Sequence, residues 1–467
     1  MNMKTHLFLI GLIAATAVNA VEIGQVVVRQ QWPWSTNVKV EYALTGVTEP
    51  VDINVECYDG TTKLESAALS ESVSGSRFGI SANGIYSLTI DPVKAFGKGD
   101  GLIADFRVKL TTSAAPAEMS DVLYKIFDLT KQGAVTDVSR ADLLNGKYGA
   151  IETDYQNIIP GSQIGATLIW TGVTNNPAYK TTHLVMRKIN AANKSFTMGA
   201  PSGQKGQKYE SVNYNGYETQ HTVNFEEDFY IAVFPTTKYQ HRLIIGSSVD
   251  DSDDSLRKPI DNVMWTDLRG YMVSDGILGW WPEAGVWSAS GFVASPSGSP
   301  HDVDTSKAIY KLRQKTGENG FDLPTEARWE FACKAGTTTA TYAGDITSDD
   351  HLANDPAVDL IAWCGINSGK AAHEPGEKAP NPWGLYDMIG NVNELCLDIV
   401  STTMSSTNAT DPSGPTSANR YVRRIVRGTD ALNAVTYKCR SAFRGASTDP
   451  HVGDKNNLIG YRLMLYR

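Results

Sequence analysis

Histidine is scarce and scattered: 467 residues hold eight, with no His-Glu-x-x-His and no His-x-x-x-His among them. A helix-borne zinc hydrolase site therefore has no ligands to draw on. The chain also lacks a Gly-x-Ser-x-Gly nucleophile elbow and a phosphate-cradling glycine loop. That removes hydrolase-elbow and nucleotide-dependent chemistry. Clusters of Lys and Arg are missing too, and the formal net charge is -9. Phosphate backbones are bound through clustered positive charge, so a nucleic-acid partner is not expected. Past the N-terminus no apolar run approaches the roughly eighteen residues of a membrane-spanning helix, so no membrane span is expected.

What the N-terminus does contain is Lys4, an apolar run from Leu7 to Val18, and the small-residue ending Val18-Asn19-Ala20. This is the layout of a cleaved signal peptide over residues 1–20, and it predicts a secreted or periplasmic protein starting near Val21. Export makes disulfides possible. Of five cysteines, Cys57 stands alone, while Cys333, Cys364, Cys396 and Cys439 can pair in three ways or stay as buried thiols. The length exceeds one ordinary core, and 41% hydrophobic with 20% charged is globular composition. Two or three domains are expected.

Residues 21–112 read as strands. Val38, Val40, Tyr42 and Leu44 alternate with polar neighbours, as do Val51, Ile53, Val55 and Cys57, with further runs at 85–90 and 106–110. Period-two burial and turns at Ser74-Gly75-Ser76 and Ala82-Asn83-Gly84 predict a small all-β sandwich of immunoglobulin-like type. Trp32 and Trp34 read as core plugs of that domain. Ser-Ala-Ala-Pro-Ala at 113–117 opens a linker over 113–120, and residues 121–467 are assigned to the second domain.

The most informative stretch runs from Asn381 to Asp398. Pro382, Gly384 and Gly390 punctuate it too heavily for a regular element, so a folded loop is expected. Asp387 and Glu394 are oxygen donors, and the turn at Gly390-Asn391 can aim carbonyls at the same point, which suits a hard cation. Asx-turns and helix caps use the same residues. The sequence Gly-Leu-Tyr-Asp-Met-Ile-Gly-Asn-Val-Asn-Glu resembles the signature of the formylglycine-generating enzyme, or sulfatase-modifying factor, family. Asn393 and Leu395 stand where that family commonly has tryptophan.

The resemblance continues through Phe196-Thr197-Met198-Gly199, Phe229-Tyr230-Ile231, Pro259 to Trp265, Leu323-Pro324-Thr325-Glu326-Ala327-Arg328-Trp329-Glu330, Arg440 to Arg444 and Ile459-Gly460-Tyr461-Arg462. It is clear from about residue 184. It implies a C-type-lectin-like fold, α+β with little regular structure. It implies calcium at Asp387, the carbonyls of Gly390 and Val392, and Glu394. It also implies that Cys333 and Cys439 form a structural disulfide. Residues 325–334 read as a helix capped by Thr325, with Lys334 and Gly336 at its exit.

The family's enzymes oxidise a sulfatase cysteine to formylglycine with oxygen and copper(I) held between two thiolates. Those thiolates follow Gly-Gly-Ser with four residues between them. Here the run is Gly428-Thr429-Asp430, and the two places fall on Asn433 and Lys438, or, slid by one residue, on Ala434 and Cys439. Only one sulfur is on offer, so copper is not expected. The sulfoxide-synthase relatives' iron ligands are absent as well. The acidic run at 250–254 lacks EF-hand spacing and reads as a solvated loop. Trp280 and Trp281, in a Gly-rich stretch, offer an aromatic platform for a sugar or peptide, against a structural role in a helix-poor core. Arg440 and Arg444 can hold an anion in a cleft, or tie loops together through carbonyls, the preferred reading. The expectation is an exported, non-catalytic binding or scaffold module, or an enzyme of unknown chemistry, with a protein, peptide or glycan partner. The alternative is a formylglycine-generating oxidoreductase.

Overall fold

Strand Val38–Thr45 buries every second side chain, as its alternation predicts, and it sits inside a four-stranded sheet. The order there is Glu22–Gln30, Val38–Thr45, Gly84–Ile90, Val73–Gly75. A three-stranded sheet of Thr62–Lys63, Val51–Asp59 and Phe106–Ala114 supplies the other layer. In immunoglobulin lettering these orders are A-B-E-D and C′-C-F. Val40, Tyr42, Ile53, Cys57, Leu88, Ile90 and Val108 form the shared core. Burial raises the Cys57 thiol to about 12, which marks it as an inert packing group. Ser74-Gly75 is not a free turn: it pairs with Leu88 and Thr89. A Cβ on Gly75 would lie 2.6 Å from the Ser87 carbonyl oxygen, so only glycine allows that approach.

The structure is a computed structural model that describes residues 21–30, 36–97, 103, 105–205, 218–270, 303–347, 353–400, 408–413, 424–432, 435–446 and 458–466, with four two-residue strand pieces between 273 and 292. The leader at 1–20, Trp32 and Trp34, and Trp280 and Trp281 lie outside the described residues. Two compact units divide the chain. One holds residues up to Leu123 plus Val138–Ile151, the other Tyr124–Asp137 plus Glu152–Arg467. The division differs from a single linker at 113–120. The strand Phe106–Ala114 runs through its start, and the helix Arg140–Leu144 returns to the first unit.

A six-stranded sheet runs in the order Phe321–Asp322, Met464–Tyr466, Phe229–Ala232, His183–Ile189, Val122–Asp128, Val135–Ser139. A four-stranded sheet follows the order Gly445–Ala446, Arg424–Arg427, Asn393–Ile399, Ile459–Gly460. Helices are short; among the described residues none exceeds the nine residues of Ala308–Thr316 and Glu326–Lys334. None is long and apolar enough to cross a membrane.

Helix Glu326–Lys334 starts and stops where the sequence predicts. Thr325 Oγ1 accepts the Arg328 amide at 3.3 Å, and the chain leaves through Ala335 and Gly336, both at positive φ. Residues 326–333 are all buried, so this helix has no solvent face. Its charged side chains must therefore find partners inside the fold.

Candidate functional site

Asn381 opens the loop that the sequence singled out. Its Nδ2 donates to the carbonyls of Ala332 at 2.7 Å and Cys333 at 3.2 Å, and its Oδ1 accepts the amides of Trp383 and Leu385. One side chain thus ties the loop to the end of helix Glu326–Lys334. Asp387, Gly390 and Asn391 take positive φ, as the punctuation predicts, and the Asn391 amide donates to the Trp363 carbonyl at 2.7 Å. From Asn393 onward, however, the expected loop is a strand, Asn393–Ile399, with Glu394 opposite Arg427. Two flanking strands recruit those residues, which local punctuation cannot reveal.

Glu394 is fully buried, and both of its oxygens are taken. Arg462 donates Nε to Oε1 at 3.1 Å and to Oε2 at 3.0 Å, and Nη2 to Oε1 at 2.7 Å. The Trp329 indole donates to Oε2 at 2.6 Å. Three N–H groups thus meet the two oxygens, with Nε–H shared between them. Arg462 also donates to the carbonyls of Ala232, Val233, Tyr386 and Asp387.

The residues of the expected calcium set make the following contacts within the fold. Glu394 does not fit as a metal ligand, because its charge and lone pairs already meet a guanidinium and an indole. Asp387 accepts the Gly376 amide at 2.7 Å and Asn391 Nδ2 at 3.2 Å. Burial raises its carboxyl to about 6, against those hydrogen bonds. Gly390 and Val392 serve packing: a Cβ on Gly390 would meet the Trp363 carbonyl oxygen at 2.6 Å, and Val392 joins a small cluster with Trp363, Ala431 and Leu458.

Arg440 and Arg444 are ties, but to carboxylates more than to carbonyls. Arg440 grips Glu218 with Nη1 at 2.7 Å and Nη2 at 3.1 Å, besides bonding the Tyr437 carbonyl. Arg444 grips Glu326 with Nε at 2.6 Å and Nη2 at 2.8 Å. Glu330, from the same buried helix, meets Arg427, Lys334 and the Gly199 amide. Burial works to raise its carboxyl, and these partners outweigh burial and hold it at about 2. Asp398 accepts the Glu326 amide at 2.7 Å. Burial, reinforced by the Glu326 carboxylate, pushes its carboxyl up to about 7.

The thiols are arranged differently from the pairing that the resemblance implies. Cys333 and Cys439 are both free and buried. Cys333 points toward the Met388 carbonyl and Ser441, whereas Cys439 lies against Thr429 Oγ1 at 3.9 Å and the thiol of Cys364. The sequence holds no local signal for that partnership, since Cys364 belongs to a separate loop. Asn433 and Ala434 lie outside the described residues. Cys439 and Cys364 are both 0% exposed.

Comparison with known proteins agrees with the landmarks. The sulfatase-modifying factor enzyme 1-like domain matches residues 193–466. Chaperone protein LppX of Paenibacillus barcinonensis is 26% identical over 180 residues, covering 37% of this chain and 62% of that protein. Formylglycine-generating enzyme of Streptomyces coelicolor is 30% identical over 152 residues, covering 31% of this chain and 46% of the enzyme. The chain thus spans less than two thirds of either relative. The solved structure of Treponema denticola variable protein 1 aligns with a TM-score of 0.40 at 23% identity, over 61% of this chain and 95% of that one. With more than half of its length matched, the chain belongs to the sulfatase-modifying factor family and has the formylglycine-generating-enzyme fold.

Proposed function

We propose that this is an exported protein whose family domain works as a binding or scaffold module for a protein, peptide or glycan, without copper oxidase chemistry. The observation that carries the reading is the state of Cys439. It is the one sulfur that the family's two thiolate places can supply, and it is sealed at 0% exposure beside Thr429 and Cys364. A redox metal that acts on a substrate cysteine must be open to that cysteine. The buried arginine–carboxylate pairs fit a rigid frame, since Arg427, Arg440, Arg444 and Arg462 are each paired within the fold. Relatives bear the names of a chaperone and of an enzyme alike, so membership alone does not choose. A second reading, formylglycine formation, draws on the contact between Cys364 and Cys439. The two readings separate on whether the copper-treated protein converts a cysteine in a sulfatase-motif peptide to an aldehyde.

A further inference from the structure

We propose that Arg424 and Trp265 form a site for a carboxylate that a ligand supplies. Among the described residues seven arginines are buried. Six meet a carboxylate of the chain, as Arg269 meets Asp322 at 2.9 Å and Arg444 meets Glu326 at 2.6 Å. Arg424, 4% exposed, is the seventh. Among the described residues its one hydrogen bond runs from Nη1 to the Leu397 carbonyl at 2.6 Å, and it forms no ion pair. A buried charge is costly unless it is paired. Burial, reinforced by the Arg269 guanidinium, accordingly lowers Arg424 to about 9. For Arg427 burial is outweighed by Glu330 and Glu326, and the shift is upward. Asp398 acts on Arg424 from a distance. It is a weak counter-charge, because burial pushes its own carboxyl up to about 7 and its oxygen accepts the Glu326 amide.

The unused edge of the Arg424 guanidinium is the one that carries Nε and Nη2. Arg444 offers that same edge to Glu326, Nε to Oε1 at 2.6 Å and Nη2 to Oε2 at 2.8 Å. Two parallel donors of this kind match the two oxygens of a carboxylate. The Leu397 carbonyl holds the group from the other side, and Cζ stands 3.9 Å from the centroid of the Trp265 ring. Arg269 Cζ is 5.1 Å from the same ring. Positive charge is in excess here, since Asp322 is divided between Arg269 and Arg313. Trp265 adds an independent sign: its indole Nε1 is buried with no hydrogen-bond partner. Buried donors without an acceptor are rare. A ligand seated against this ring can give both Arg424 and Nε1 the acceptors that they lack.

The site shares no residue with the copper question and does not rest on its answer. To test it, the full chain is melted near neutral pH and at constant ionic strength, with chloride exchanged for acetate, the carboxylate alone, or for inorganic phosphate. Acetate is expected to raise the melting temperature by roughly 2–4 °C once it is about tenfold above its dissociation constant, and phosphate by less. N-acetylglycine and glucuronate, tried in place of acetate, distinguish a peptide carboxyl end from a sugar acid as the source of the group. Arg424→Gln strands no carboxylate of the chain, so it is expected to melt close to wild type in chloride and to lose the acetate response. Arg424→Lys keeps the charge without the two-donor edge and is expected to weaken acetate roughly tenfold. Melting of the wild type that ignores acetate, or an acetate shift of the same size in wild type and both variants, overturns the proposal. A larger shift with phosphate than with acetate overturns the carboxylate assignment.

Discussion

Arg462 and Glu394 form a fully buried ion pair, 2.7 Å from Nη2 to Oε1, inside the loop whose sequence reads as a cation site. The guanidinium brings positive charge and planar donors to the carboxylate and to four carbonyls from two other segments. It thereby joins the strand Phe229–Ala232, the loop at Tyr386 and Asp387, and the strand Asn393–Ile399. In a fold with few helices, such a cation gathers carbonyls that regular structure leaves unpaired.

Removing one partner exposes the cost of the arrangement. Arg462→Met strands the Glu394 carboxylate in the interior and is expected to cost about 3–5 kcal/mol. Glu394→Ala strands the guanidinium and falls in the same range. Thermal unfolding with chelator and with added calcium checks the source of the loss. The wild-type melting temperature is expected to be the same in both, and the loss in each variant likewise. A wild-type midpoint that drops in chelator and returns with calcium would restore Glu394 as a metal ligand.

Gly390 tests whether the loop's shape is dictated by close approach. Its φ is +87°, and a Cβ would meet the Trp363 carbonyl oxygen at 2.6 Å, whereas Gly369, at φ +66°, has nothing within 4 Å of that position. Gly369→Ala carries only left-handed strain, about 1–2 kcal/mol. Gly390→Ala adds a backbone clash and is expected to cost at least about 2 kcal/mol more, read by denaturant midpoints.

Asp398 gives a pH dependence of unusual sign. Its carboxyl titrates at about 7 in the fold and at the ordinary 3.8 when unfolded. Between those values the folded state keeps a proton that the unfolded state releases, so its contribution falls as pH rises from about 4 to 7 and is constant above. Glu330 does the opposite, its contribution being lost as pH falls from 4.5 through about 2. Asp398→Asn keeps an oxygen for the Glu326 amide and removes the titration. The variant is expected to gain on wild type as pH rises from 4 to 7, by up to about 4 kcal/mol. Parallel stability profiles for the two proteins would refute this assignment.

Much of the fold is legible locally. Alternation in Val38–Leu44 and the Thr325 cap each place an element through neighbours in sequence, and the structure puts both where expected. Partnerships made across the chain are not legible. Arg462 reads only as a closing landmark, and nothing near it announces Glu394, 68 positions earlier. Cys364 likewise gives no sign of Cys439. The strand at Asn393–Ile399 hides behind turn residues because its pairing partners lie elsewhere in the chain. Arg440 and Arg444 read as loop ties through carbonyls, and the sequence gives no sign of the carboxylates from distant segments that neutralise them.

Sealing of Cys439 is the centre of the functional account. Copper-treated, reduced protein is incubated in air with a peptide bearing a sulfatase cysteine motif, and the peptide is analysed by mass spectrometry with an aldehyde-trapping hydrazide. The account predicts unchanged peptide cysteine and no hydrazone. A hydrazone that accumulates with time and vanishes in Cys439→Ser would contradict it and make this chain a formylglycine-generating oxidoreductase.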